Sequence, residues 1–261
     1  MPKQSNTLFI VGIGPGDLSL LTVAARKALE EAETILGYKT YIEQIAPLLQ
    51  GKNVYANRMT QEIERAKKAL KLASEGQKVA LVSGGDPSIY GMSATVFEIL
   101  AANPGAYGSV KIEIIPGVTA ACAAAARLGA PLSNDCAFIS LSDRLTPWEE
   151  IRKRILLAAE GDFVLVFYNP KSRRRKNQLK EALSLVKSFR APQTPLALVK
   201  GAFRKEEKLL LTTLENAEEV ISLADMASLV IVGNSLSRLI KGFFLTPRGY
   251  GQKYVLHHEV L

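Results

Sequence analysis

The chain has 261 residues, 48% of them hydrophobic, with 33 basic and 25 acidic side chains and a net charge of +8. That is enough apolar material for one or two packed cores, and no run of 18 or more apolar residues offers a membrane span. The charge suits a polyanionic partner, while two cysteines (Cys122, Cys136) and two histidines (His257, His258) exclude a disulfide framework and an internal histidine base or metal site.

The opening MPKQSNTLFIVG lacks a basic segment followed by a long apolar stretch and a cleavage site. No signal peptide is expected, and a reducing, cytoplasmic setting is the default. The terminal histidine pair reads as a solvated tail.

The first predicted strand, LFIVGI at 8–13, runs into GPGD. A dinucleotide loop needs G-x-G-x-x-G. Gly12 and Gly14 fit, but Asp17 stands at the third glycine position and Pro15 removes an N–H that a phosphate would use. Asp17 reads equally as a helix cap before Leu18 and as a substrate-facing carboxylate. Leu18, Leu21, Ala25, Ala28, Leu29 and Ala32 then repeat at helical spacing. The second strand region, ILGYK, ends without the acidic residue a dinucleotide site needs. A helix over 63–73 follows, then the strand KVALVS at 78–83 and the corner SGGDPSIYG opening a helix over 88–102. The strand KIEIIP at 111–116 leads into PGVTAACAAAA, which opens another helix. A boundary near 115–120 divides the chain into domains 1–116 and 117–261.

The second half alternates AFISLS (137–142), a helix over 148–160, DFVLVFY (162–168), a helix over 176–189, PLALVK (195–200) and SLVIVG (228–233). Strands alternating with helices, and apolar on both faces, mean an α/β protein with sheets covered on both sides. EKLLLTTL at 207–214 follows PLALVK closely enough for a hairpin, so the second sheet is expected to be mixed. Three glycine-rich corners fall at the C-terminal ends of apparent parallel strands, where α/β proteins bind ligands. Their small residues let a neutral or zwitterionic nucleoside lie against the main chain.

VGIGPGD, SGGDPSIYG and IPGVTAACAAAARLGAPL, in this order and spacing, resemble the tetrapyrrole methylases, S-adenosylmethionine-dependent enzymes of cobalamin and sirohaem synthesis. The resemblance runs over about residues 7–247. GYKTY at 37–41, GDPSIYGM at 85–92, DRLTPWE at 143–149 and YNPKSRRR at 168–175 are most similar to the precorrin-3B C17-methyltransferases and their cobalt-dependent counterparts. Ser88 stands where that subfamily carries glycine.

The resemblance implies two α/β domains with a cofactor cleft between them, a homodimer, and no protein-bound metal. Carried over by position, it implies cofactor contacts at Pro15, Gly84, Gly85, Asp86, Ile89, Thr119, Ala120, Asn169, Gly201 and Ala202. Its acceptor is carbon 17 of a reduced tetrapyrrole, metal-free or holding cobalt. A sulfonium donor and an enamine-type carbon need alignment more than acid–base help. The accompanying ring contraction calls for a proton donor or acceptor, with Asp17, Tyr38, Tyr41 and Ser172 as candidates. The substrate's many carboxylates call for cations, and KSRRRK at 171–176 supplies five. Arg173, Arg174 and Arg175 are candidates, with Arg175 first because it closes the Asn-Pro-x-Ser-x-x-Arg pattern; Arg58 is another. Trp148 reads as a packed helix start.

Two rivals remain. A ribosomal RNA ribose methyltransferase of the same fold suits the charge, but the aromatics expected among the cations of a single-strand binder are missing, and no nucleic-acid or membrane partner is expected. A nonenzymatic nucleoside-binding regulator would keep the glycine corners without needing a basic trough.

Overall fold

The computed structural model describes residues 6–58 and 60–256, so His257 and His258 lie outside the described residues. The chain falls into two compact units, Met1–Ala123 and Ala124–Leu261.

The first unit runs β1 (Thr7–Gly12), α1 (Val23–Glu31), β2 (Thr34–Tyr38), α2 (Lys39–Gln44), β3 (Asn53–Asn57), α3 (Glu62–Ser74), β4 (Lys78–Ser83), α4 (Met92–Ala102) and β5 (Lys111–Ile115). Its five strands lie in the order β3-β2-β4-β1-β5, every pairing parallel. Alternate strand residues point to opposite faces, so each face has its own core. Phe9, Val11, Ile35, Ala80 and Val82 pack on Ala25 and Leu29 of α1 and on Ile42 of α2. Leu8, Ile10, Leu36, Val79 and Leu81 pack on Ala66, Leu70 and Ala73 of α3 and on Val96 and Ile99 of α4. Each large side chain so buried contributes about 1.5–3 kcal/mol. Helix α4 begins at Met92 rather than at 88, because Tyr90 takes a left-handed φ of 52° and breaks the helical path.

Helix α5 (Ala120–Leu128) contains the division between the units. The second unit continues with β6 (Gly129–Ala130), β7 (Cys136–Ser140), α6 (Trp148–Glu160), β8 (Val164–Tyr168), α7 (Gln178–Lys187), β9 (Pro195–Lys200), β10 (Lys208–Thr213), α8 (Ala217–Leu223), β11 (Ser228–Val232), β12 (Arg238–Ile240), β13 (Phe243–Leu245) and α9 (Tyr250–Lys253). Its main sheet has the order β10-β9-β11-β8-β7 and is mixed, as the hairpin spacing implied. β7 pairs with β8 in parallel, and the other pairings are antiparallel. A small sheet, β12-β13-β6, stands beside it in the same unit. Trp148 heads α6, packs against the core of this unit and donates its indole N–H to Glu181 Oε2 at 2.9 Å, as a packed helix start should.

Arg190 pins this unit from inside. It is 8% exposed. Its Nη1 donates to the carbonyls of Ala159 (2.7 Å) and Phe189 (3.1 Å), Nη2 to Phe163 (3.2 Å) and Nε to Gly233 (3.2 Å). Asp162 Oδ1 lies 3.3 Å from Nη1. One guanidinium therefore satisfies carbonyls at the end of α6, before β8, after α7 and after β11.

Candidate cofactor and substrate site

The glycine corners after β1, β4 and β5 belong to three adjacent strands and meet at one edge of the first sheet. Gly14 N donates to Gly85 O (3.1 Å), Gly85 N to Gly14 O (2.8 Å), and Ile13 N to Ser83 O (3.0 Å). A Cβ at Gly12 would sit 2.7 Å from both Gly117 N and Gly85 O, and one at Gly117 would fall on Gly85 O and within 2.8 Å of Gly12. Neither Gly12 nor Gly117 has a positive φ. They are glycines for space alone, and three main chains touch where side chains would stand.

Asp86 fastens this junction. Its Oδ2 accepts from Gly117 N at 3.0 Å, and its Oδ1 from Ser88 N at 2.8 Å and from the Ser88 hydroxyl. Burial pushes its pKa up, but these hydrogen bonds more than offset that and hold it below the usual carboxylate range. The serine standing in place of the subfamily's glycine thus has a job: its hydroxyl helps keep Asp86 ionised. Asp17 caps the short 3-10 turn Leu18–Leu20, accepting from Ser19 N at 2.8 Å, and the Ser19 hydrogen bonds lower its pKa. Of its two readings the cap is the one with observed partners. Pro15 is buried, Ile89 and Ala120 are half-buried, and Thr119, 8% exposed, accepts Ala123 N on its carbonyl at the start of α5. None of the three corners contains Lys, Arg or His. Main chain, small side chains and two already bonded carboxylates, Asp17 and Asp86, suit a zwitterionic nucleoside better than a phosphate.

Tyr38 and Tyr41 flank the second corner. Their rings meet edge to face with centroids 5.4 Å apart. A Cβ at Gly84 would lie 2.5 Å from Tyr41 Cζ and 2.8 Å from its hydroxyl, so the phenol covers the main chain at Gly84. Arg58 is exposed, in the segment between β3 and α3.

In the second unit, β8 and β9 are both antiparallel to β11, which lies between them, and therefore parallel to each other. Asn169 and the pair Gly201–Ala202 follow these strands at the same sheet edge. Asn169 takes a φ of 52° and donates its amide to Ser140 Oγ at 3.0 Å. Gly201 has a φ of 57°, Phe203 one of 61°, and Ala202 is buried. Glu207 holds this turn by accepting from Phe203 N and from Arg127 Nε, the latter at 2.8 Å, while the Arg127 guanidinium stacks 4.1 Å over the Phe203 ring. The Arg127–Phe203–Glu207 clamp was not legible in sequence, since 80 residues separate its ends.

Arg175 departs from expectation. It is 4% exposed. Its Nε donates to Asn169 O at 3.0 Å, Nη1 to Ser142 Oγ at 3.3 Å, and Nη2 to Met226 Sδ at 3.3 Å, with Asp143 Oδ1 3.8 Å away. Burial depresses its pKa against the pull of Asp143. Ser172 Oγ accepts from Arg175 N at 3.0 Å, so the Asn-Pro-x-Ser-x-x-Arg pattern closes on itself as a loop that presents Asn169. Arg175 is corrected from a first-choice substrate arginine to a scaffold for Asn169. Lys171 also turns inward, donating to Ile221 O at 2.9 Å, whereas Arg173, Arg174 and Lys176 are exposed in a segment that precedes α7. We expect Arg175→Ala to weaken cofactor binding and lower the melting temperature. Arg173→Ala combined with Arg174→Ala should leave both unchanged and cut substrate affinity about tenfold to a hundredfold, the worth of one charged hydrogen bond. Calorimetric titration of each ligand separates these outcomes.

The sequence profile of the Tetrapyrrole (Corrin/Porphyrin) Methylases matches residues 7–218. The chain belongs to the tetrapyrrole methylase family. A probable cobalt-factor III C(17)-methyltransferase of Salmonella typhimurium strain LT2 is 46% identical to it over 243 residues, covering 93% of this chain and 99% of the relative. The cobalt-factor III methyltransferase of Priestia megaterium is 43% identical over 253 residues and 96% of this chain; this tetrapyrrole methylase spans only 46% of that relative's length. Among solved structures, the methyltransferase CobJ is 37% identical, with a TM-score of 0.87 and coverage of 92% of this chain and 99% of the other. A uroporphyrin-III C-methyltransferase of Thermus thermophilus, solved with S-adenosylhomocysteine, is 26% identical with a TM-score of 0.65, covering 87% of this chain and 97% of that one.

Proposed function

We propose that this tetrapyrrole methylase transfers the methyl group of S-adenosylmethionine to carbon 17 of a reduced tetrapyrrole of the precorrin-3B or cobalt-factor III type, with ring contraction, in cobalamin biosynthesis. The observation that carries this reading is the identity of 46% to a C(17)-methyltransferase matched along 99% of its length. The cation-free glycine junction supports a zwitterionic cofactor. When bound, the sulfonium supplies an activated methyl group. The chain's own residues bind and orient: Gly84–Asp86 and Thr119–Ala120 through main chain, Asn169 and Gly201–Ala202 at the edge of the second sheet. Pro15 and Ile89 shape the first of these sets. Arg173, Arg174 and Arg58 are placed on the surface to meet carboxylates of the substrate.

The test supplies methyl-labelled cofactor with precorrin-3B, with cobalt-factor III, or with bulk RNA. Label is expected in a tetrapyrrole and absent from RNA; label in RNA, or in nothing while the cofactor binds, overturns the reading. Thr119→Trp and Ala202→Trp should each abolish binding of S-adenosylhomocysteine.

The enzyme is further proposed to work as a cytoplasmic homodimer. The small sheet of the second unit supports this, with Leu239, Ile240 and Phe243 exposed at 40%, 38% and 58%. Sedimentation should give twice the 28.4 kDa chain mass, and a monomer at micromolar concentration would count against it.

A further inference from the structure

Arg65 of α3 is 3% exposed, yet its Nε and Nη1 have no hydrogen-bond partner, and its Nη2 reaches Met92 Sδ at 3.9 Å. Among the described residues no carboxylate pairs with it. Burying a guanidinium this way costs several kcal/mol, and an apolar side chain of similar volume would fill the space without that cost. Burial pushes its pKa down, and Glu62, Tyr41 and Glu64 pull it back up. Charges kept in such surroundings cluster at functional sites.

The geometry says what this charge faces. Met92 opens α4 directly behind the second glycine corner, its N–H donating to Ser83 Oγ at 3.4 Å. Tyr41 covers the same corner at Gly84. The guanidinium, through Met92, and the phenol, over Gly84, thus converge on one corner. The other groups around them are Glu62 and Glu64 on α3 itself and Tyr38 edge-on to Tyr41.

We propose that Arg65 is a positioning residue for Tyr41: its buried guanidinium stabilises negative charge on the phenol oxygen beside Gly84, which makes Tyr41 the proton donor to the macrocycle during ring contraction. In that step the Tyr41 O–H bond breaks, its electron pair stays on the phenolate oxygen beside Gly84, and a C–H bond forms on the macrocycle. Solvent later returns the proton to Tyr41. Asp17 caps a turn and Ser172 accepts from Arg175 N, whereas Tyr41 lies over Gly84 at the corner that Arg65 and Met92 back. The assignment rests on the methyl-transfer reading above.

The experiment follows Tyr41 by NMR of tyrosine labelled at Cζ, its signal identified by its loss in Tyr41→Phe. Arg65→Met should move the Tyr41 titration up by about one pH unit or more, while Arg65→Lys, which keeps a cation, holds it near the wild-type position. Arg65→Met should also melt no lower than wild type, the reverse of what a structural arginine would show. Turnover of tetrapyrrole should fall about tenfold or more in Arg65→Met and in Tyr41→Phe, with affinity for S-adenosylhomocysteine unchanged. An unmoved Tyr41 titration, or an Arg65→Met protein that is destabilised or unfolded, overturns the proposal. If wild-type protein methylates no tetrapyrrole, the functional reading fails instead, while the titration and melting results still decide whether Arg65 charges Tyr41.

Discussion

Gly117→Ala is expected to abolish cofactor binding and to destabilise the first unit, although alanine is the smallest change possible. The added methyl would meet Gly85 O and the Gly12 carbonyl group, all main chain, so no side chain can swing away. Overpacking against rigid neighbours costs about 1–3 kcal/mol or more, and relief requires the corners after β4 and β5 to part. Parting them also removes the hydrogen bond from Gly117 N to Asp86. Gly51→Ala is the control, with a φ of 74° but nothing within 4 Å of the new Cβ. It should lose about 1 kcal/mol from backbone strain and leave cofactor affinity intact. Chemical denaturation together with calorimetric titration of S-adenosylhomocysteine checks both variants. A Gly117→Ala protein that binds within twofold of wild type would mean that the three corners are free to separate.

Arg190→Met is expected to produce the largest loss of stability of any single change outside the glycine junction. Four carbonyls would lose a donor and Asp162 its cation, around a guanidinium that is itself buried. Removing one side of a buried charged network costs about 3–5 kcal/mol, which for a unit of this size lowers the melting temperature by roughly 10 °C. Arg190→Lys should recover little, because a single ammonium on a flexible stem cannot span four carbonyls that a planar fork reaches. Scanning calorimetry decides the matter; a lysine variant as stable as wild type would show that charge alone, without the fork, suffices.

The strands of both sheets that carry the cores were legible because they are apolar on both faces. KVALVS was expected at 78–83, and β4 spans Lys78–Ser83; PLALVK was expected at 195–200, and β9 spans Pro195–Lys200. β3, reading NVYAN, was not legible, because an edge strand that is exposed or half-exposed throughout carries no apolar run. The β12–β13 hairpin escaped for a similar reason, its strands being three residues each. At the site, glycines and prolines marked the corners, since their spacing is local. Which cation turns inward was not legible. KSRRRK offers similar neighbours, and the carbonyl of Asn169, the hydroxyl of Ser142, the sulfur of Met226 and the carboxylate of Asp143, brought together by folding, single out Arg175. Arg65 was passed over because nothing in EIERAKKAL distinguishes a buried arginine from the solvated cations beside it.

The contact among Gly12, Gly85 and Gly117 bears on how relatives of this chain are to be judged. Gly12 and Gly117 are required by the main chains packed against them and Gly85 by its φ of +65°, whether or not a ligand is ever bound. A descendant that lost its chemistry but kept its fold would still be held to all three, while Thr119, Ala202 and Tyr41 drifted. Survival of the glycine signature is thus a record of architecture, and a genome annotator searching for inactive copies would find them by the erosion of those other positions.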